Sequence, residues 1–193
     1  MINLAILASG NGTNAQKIIE YFQGNENIHV AVVFSNCADA KVLERTKKFS
    51  IEGIVFSKKD FDETDIVLNK LISLHIDFIV LAGFLWLVPE KIINYFPHKI
   101  INIHPALLPK FGGKGMYGMK VHESVLANKE NESGITIHYV NKQFDEGEII
   151  FQAKCKVGES DTPELLANKI HQLEHAYYSK VIESLLNKLF VNS

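Results

Sequence analysis

At 193 residues the chain is long enough for one sizeable core or two small ones, and 47 % hydrophobic residues is ordinary for a folded globular protein. Twenty Lys plus Arg against twenty-two Asp plus Glu leave a formal charge of −2. That offers none of the basic excess that nucleic-acid binding requires. Cys37 and Cys155 lie far apart, outside any C-x-x-C spacing, so reduced, buried thiols are expected.

The opening Met1–Ala8 is apolar but lacks a basic n-region and a small-residue cleavage site. It runs into a glycine turn, so it reads as a buried first strand, Ile2–Ala8, rather than a signal peptide. A membrane span needs roughly eighteen apolar residues in a row, and no stretch reaches that. A soluble, cytoplasmic protein without membrane partners is expected. Further strands are predicted over Ile28–Ser35, Gly53–Ser57, Phe78–Gly83 and Ile100–His104. Between them, Asn14–Phe22, Ala40–Phe49 and Glu63–Leu74 place apolar residues at helical spacing. Strands that are apolar on both faces and separated by helices argue for a parallel sheet covered on both sides. Right-handed crossovers would put the ligand-binding loops at the carboxyl ends of those strands.

The pattern changes after Gly113. A glycine- and lysine-rich loop, Gly112–Gly118, leads into a short helix around Lys120–Ala127. Ile135–Val140 and Glu148–Val157 flank the turn Asp145-Glu146-Gly147 and read as an antiparallel hairpin. Thr162-Pro163-Glu164 opens a long final helix. Its inner face is predicted from Leu165, Leu166, Ile170, Leu173, Ala176, Tyr177, Val181, Leu185 and Leu189. The expected fold is α/β: a Rossmann-like, mostly parallel sheet with helices on both faces, extended by antiparallel C-terminal strands and the final helix. We expect one domain over residues 1–193, with a nucleotide-fold half over 1–100 and a mixed-sheet half over 101–193.

Two stretches carry chemistry. Ser9-Gly10-Asn11-Gly12-Thr13-Asn14 joins the first strand to the first helix. Backbone N–H groups there, with the positive helix end behind them, suit an anion, and Thr13 and Asn14 are placed to cap the helix. Gly10, Gly12 and Ala15 also satisfy a loose dinucleotide fingerprint. That fingerprint wants an acid at the end of strand two, where Ser35-Asn36 stands, so a single phosphate is preferred over NAD.

The other stretch is the end of Ile100–His104. Asn102 and His104 are two apart and leave an extended strand on the same face, and Pro105 biases His104 away from the helical region. Asp145 is one candidate among several for a carboxylate partner. His138 is placed on a sheet surface. His171-Gln172-Leu173-Glu174-His175 matches an inverted zinc-peptidase pattern, but a five-residue match on a long helix is weak, and no metal is expected. Glu174 is instead placed at the helix edge facing the loops.

With these residues in hand, the chain resembles the folate-dependent phosphoribosylglycinamide formyltransferases from its first strand to its final helix. The strongest marks are LASGNGTN (Leu7–Asn14), VLAGF (Val80–Phe84), NIHPALLP (Asn102–Pro109) and FDEG (Phe144–Gly147). The resemblance implies transfer of a formyl group from 10-formyltetrahydrofolate to the amine of glycinamide ribonucleotide. It implies Asn102, a protonated His104 and Asp145 as the catalytic set, with Asp145 raising the pKa of His104. Gly10, Asn11, Gly12, Thr13 and Asn14 would form the phosphate loop and Glu174 would contact ribose. Leu85, Trp86, Leu87 and Val88 would line the folate pocket, with Asn141, Lys142, Gln143 and Phe144 closing over the pterin. The implied partners are small molecules only, and the protein itself a monomer or homodimer. The nearest rival, a 10-formyltetrahydrofolate hydrolase, shares the Asn-His-Asp set.

Overall fold

A computed structural model of the chain describes residues 1–191. Its strands are β1 (Ile2–Leu7), β2 (Ile28–Ser35), β3 (Glu52–Val55), β4 (Phe78–Leu81), β5 (Ile100–His104), β6 (Glu132–Tyr139) and β7 (Ile149–Lys156). They form one seven-stranded sheet in the order β3-β2-β1-β4-β5-β6-β7. The first five pair in parallel, and β6 and β7 add antiparallel neighbours, as the hairpin pattern predicted. Helices are α1 (Thr13–Phe22), α2 (Lys41–Lys47), α3 (Lys58–Asp62), α4 (Ile66–Ser73), α5 (Glu90–Tyr95), α6 (Met119–Ala127) and α7 (Pro163–Leu186). No helix among the described residues is long and apolar enough to cross a membrane.

The period of two along each strand divides the core. Leu4 and Ile6 of β1 join the cluster beneath α1 and α7, whereas Ala5 and Leu7 join the opposite cluster with Phe61, Val67 and Leu71. This two-sided burial explains the unbroken apolar reading of the strands. The strand order runs outward from β1 to β3 on one side and from β4 to β5 on the other, so the crossovers on either side diverge and open a crevice at the carboxyl ends.

Several expectations are corrected. The helix predicted over Glu63–Leu74 is α4, which starts later, at Ile66, and a separate short helix that was not predicted, α3, precedes it. Ser57 and Asp60 form a capping box that starts α3, and the Thr64 hydroxyl donates to the Asp60 carbonyl between the two. Helix α5, only six residues long after Pro89, is too short for periodicity to reveal. The buried face of α7 runs through Leu166, Ala167, Ile170, Glu174, Tyr178, Ile182 and Leu186, and leaves Leu165 and Tyr177 exposed. The apolar pattern misjudged this rotation because two polar residues, Glu174 and Ser179, are among those buried. Cys37 is exposed and Cys155 half-buried, so the buried-thiol expectation fails for Cys37, which sits in the loop after β2.

Candidate active site

A cavity of about 650 Å³ lies across the carboxyl ends of β1, β4 and β5. Its walls come from both faces of the sheet: the glycine turn, α6 and α7 on one side, and the segment after β4 on the other. The position follows from the topology, since this is where the crossovers diverge.

The glycine turn is held by α2. The Val42 N–H donates to the Gly10 carbonyl (3.1 Å), and Val42 packs so closely under Gly12 that a Cβ there would lie 2.5 Å from the Val42 side chain. Gly12 has φ +73°, a conformation that side-chain-bearing residues rarely adopt. Arg45 clamps the same turn, donating from Nε to the Asn11 carbonyl (2.6 Å), from Nη2 to Asn11 Oδ1 (2.8 Å) and from Nη1 to Gln16. The expected side-chain cap is absent: Gly12 is the cap residue of α1, and no side chain bonds the first-turn amides. Asn14 instead donates from Nδ2 to Glu174 Oε2 (2.9 Å). First-turn N–H groups left without a side-chain acceptor at a helix start favour an anion.

Glu174 is buried, and burial pushes its carboxyl above the ordinary range against the Asn14 hydrogen bond and the nearby His171. One turn further along α7, the Tyr178 hydroxyl donates to the Leu81 carbonyl at the end of β4 (2.9 Å). That bond ties the helix to the strand whose loop borders the cavity, and so fixes the height of Glu174.

Asn102 and His104 continue the Ile100 face of β5 to its end, at the cavity. In the β5–β6 ladder Asn102 stands opposite His138 and His104 opposite Thr136. Asp145 reaches them from the turn between β6 and β7 with φ 56°, a left-handed conformation that Asp tolerates better than most residues. Its Oδ2 lies 3.4 Å from His104 Nδ1 and accepts from the Gly113 N–H (3.0 Å). Its Oδ1 accepts from Asn102 Nδ2 (3.4 Å) and lies 3.6 Å from His138 Nε2. His138 Nδ1 bonds its neighbour's carbonyl, at Tyr139 (2.9 Å), which presents Nε2 to the Asn102 amide at 3.2 Å.

Electrostatics revise one expectation. His104 is 3 % exposed, and burial lowers its pKa; Asp145 and the Phe111 carbonyl push it back up but do not prevail. The resting imidazole is therefore neutral at pH 7 rather than held charged by Asp145. Both ring nitrogens nevertheless face oxygens, with Nε2 2.7 Å from the Phe111 carbonyl, so a proton gained by the ring finds an acceptor at each end. Asp145 is raised by burial, but the His138 hydrogen bond, the nearby His104 ring and the Gly113 amide hold it below the usual carboxylate range. It is ionised at neutral pH.

The profile of a family described as formyl transferase matches residues 2–182. The chain belongs to the formyl transferase family. Within that family it is 39 % identical over 188 residues to the chloroplastic phosphoribosylglycinamide formyltransferase of Arabidopsis thaliana, covering 94 % of this chain and 64 % of that protein. The chain thus spans just under two thirds of that plant relative. It is 34 % identical over 191 residues to phosphoribosylglycinamide formyltransferase of Bacillus subtilis, covering 96 % of this chain and 95 % of that one. The crystal structure of the Bacillus halodurans enzyme of that name superposes with a TM-score of 0.87 at 35 % identity, covering 96 % of each chain.

The fold brings together Asn102, His104 and Asp145, and lines the same cavity with Gly10 to Asn14, Glu174, Leu85 to Val88, Gln143 and Phe144. Asn141 and Lys142 stand outside its wall. Asn141 Oδ1 accepts from the Gln143 N–H, turning the loop, and Lys142 pairs with Glu90 on the surface. Sequence reasoning missed His138, Gly113 and His122 on the cavity wall, and Arg45 behind the glycine turn. Only His138 left a signal: it is two residues from Thr136, and pairing of β6 beside β5 puts both on the Asn102 face. The HxxEH helix segment stacks His171 on His175 at 6.4 Å, while Glu174 leaves toward Asn14.

His122 provides a pH test. Burial, then the charges of His171 and His104, lower its pKa from 6.5 to about 4. Folding therefore favours the neutral ring. Its contribution is complete above pH 6.5 and is lost as pH falls toward about 4. Thermal melts should show a steeper loss of Tm across that window for the native chain than for His122→Asn. Parallel curves would remove His122 from the balance.

Proposed function

We propose that the protein transfers the formyl group of 10-formyltetrahydrofolate to the amine of N1-(5-phospho-D-ribosyl)glycinamide, a step of de novo purine synthesis. The observation that carries this reading is the placement of the Asn102–His104–Asp145 set between two unlike walls of one cavity. On one side lie the uncapped amides of α1 and the Glu174 carboxylate, suited to a phosphorylated sugar. On the other lie Phe84, Leu85, Trp86 and Val88, suited to a flat, largely apolar pterin. Likeness to the bacterial enzymes over nearly their whole length supports the same substrates.

In this mechanism the amine attacks the formyl carbon, forming the new C–N bond and a tetrahedral oxyanion. Asn102 donates from Nδ2 to that oxygen. His104, neutral at rest, takes up the proton that the attacking amine loses, and the imidazolium stabilises the negative charge. Asp145, ionised, offsets the imidazolium, and that proton passes on through water to the folate nitrogen as its bond to the formyl carbon breaks. No step draws on a metal ion. On this reading residues 1–193 act as one cytoplasmic formyltransferase domain, monomeric or homodimeric, with the folate pocket in the 101–193 half completed by Leu85 to Val88.

The test is formyl transfer followed by the absorbance of the folate product, with and without the ribonucleotide. Consumption of the formyl folate that requires the ribonucleotide, with equal formylglycinamide ribonucleotide formed, is expected. Release of formate at the same rate without the acceptor would make the protein a 10-formyltetrahydrofolate hydrolase instead.

A further inference from the structure

One buried polar side chain at the cavity has no task in this mechanism. His122, on α6, is 3 % exposed, and its Nδ1 has no partner. It borders the cavity on the α7 side, together with His171 and Glu174. Asn14 lines the same wall, and its Oδ1 is also buried without a partner, its Nδ2 being engaged by Glu174. Folded chains keep few buried polar atoms unpaired, because each loses its hydration with nothing in return. Two on one wall of one cavity mark a place where a ligand supplies the missing partners.

The chemistry of the donors selects the class of ligand group. Asn14 Oδ1 only accepts. Glu174 brings a carboxylate or a carboxyl, and burial and its neighbours keep the His122 ring neutral at pH 7. A phosphate dianion would meet a carboxylate here and find no cation or row of amides. A hydroxyl both donates and accepts, and so serves an acceptor and a neutral imidazole equally well. The phosphate belongs on the amides of the glycine turn, leaving the sugar ring between that turn and the strand-end set.

We propose that His122, through Nδ1, binds a ribose hydroxyl of the substrate, and with Asn14 and Glu174 makes the site select a ribose over a deoxyribose phosphate. This rests on the ribonucleotide reading above. The geometry needs a polar atom at the Nδ1 position and not merely a ring of that size.

The experiment is calorimetric titration with glycinamide ribonucleotide and with its 2-deoxyribose and 3-deoxyribose counterparts, on the native chain, His122→Asn and His122→Gln. Asn places an amide atom near the position of Nδ1, whereas Gln reaches toward that of Nε2. The native chain should bind the ribose compound about tenfold more tightly than at least one deoxy counterpart. His122→Asn should keep most of that ratio and His122→Gln should lose most of it, with Tm reporting that both are folded. An unchanged ratio in a folded His122→Gln overturns the role of His122 alone. Equal binding of all three compounds by the native chain also overturns it, leaving the ribonucleotide reading intact. Failure of the native chain to bind any of them overturns both.

Discussion

His104→Ala is expected to lower kcat by about 10²–10³-fold, in line with removal of one oxyanion-stabilising group, while the ribonucleotide Kd stays nearly unchanged. The separation follows from position. His104 ends β5 at the cavity, against Asp145 and the Phe111 carbonyl, whereas the glycine turn that would hold phosphate follows β1. Its loss removes the group that gains charge during the reaction, not one that holds the ground state, so the rate should suffer and binding should not. Single-turnover kinetics and calorimetry on the same preparation separate the two. A folded variant with near-native kcat would take His104 out of the chemistry.

Gly12→Ala should raise the ribonucleotide Kd by about tenfold or more, since loss of one or more charge-assisted hydrogen bonds is worth about 1.5–3 kcal/mol, and should leave folate binding close to native. Two independent strains act. The added Cβ would lie 2.5 Å from the Val42 side chain, and φ +73° disfavours any residue bearing a Cβ. The strain of a left-handed residue is about 1–2 kcal/mol, and the turn can relieve both only by moving away from α2. That movement shifts the first-turn amides of α1, while the folate wall at Phe84–Val88 belongs to another loop. Titration of each substrate decides. Equal weakening of both, or of neither, would move the phosphate elsewhere.

Expectation and structure agree most closely where a local pattern has one physical meaning. The strand ends Ile28–Ser35 and Ile100–His104 were predicted to the residue. β-branched apolar runs bounded by polar turns have few alternatives when both faces are buried. Pattern failed for α7, where Glu174 and Ser179 break the apolar stripe. A buried carboxylate cannot be distinguished from an exposed one by its letter. The charge state of His104 was misjudged for a related reason. Proximity to Asp145 was foreseen, but the loss of hydration that opposes it depends on how the Phe111 and Asp145 loops close over the ring.

By itself the sequence determined the α/β class, the glycine turn, the Asn-x-His strand end and the resemblance that names their chemistry, because each is written in residues close along the chain. Only the tertiary structure decided the charge state of His104, that His138 stands opposite Asn102, that Arg45 and Val42 hold the glycine turn, and that His122 and Asn14 keep unpaired buried atoms at one cavity. These pairings join residues tens of positions apart. Strand order and the rotation of α7 bring them together, and both are settled by burial of the whole core rather than by any local run of residues.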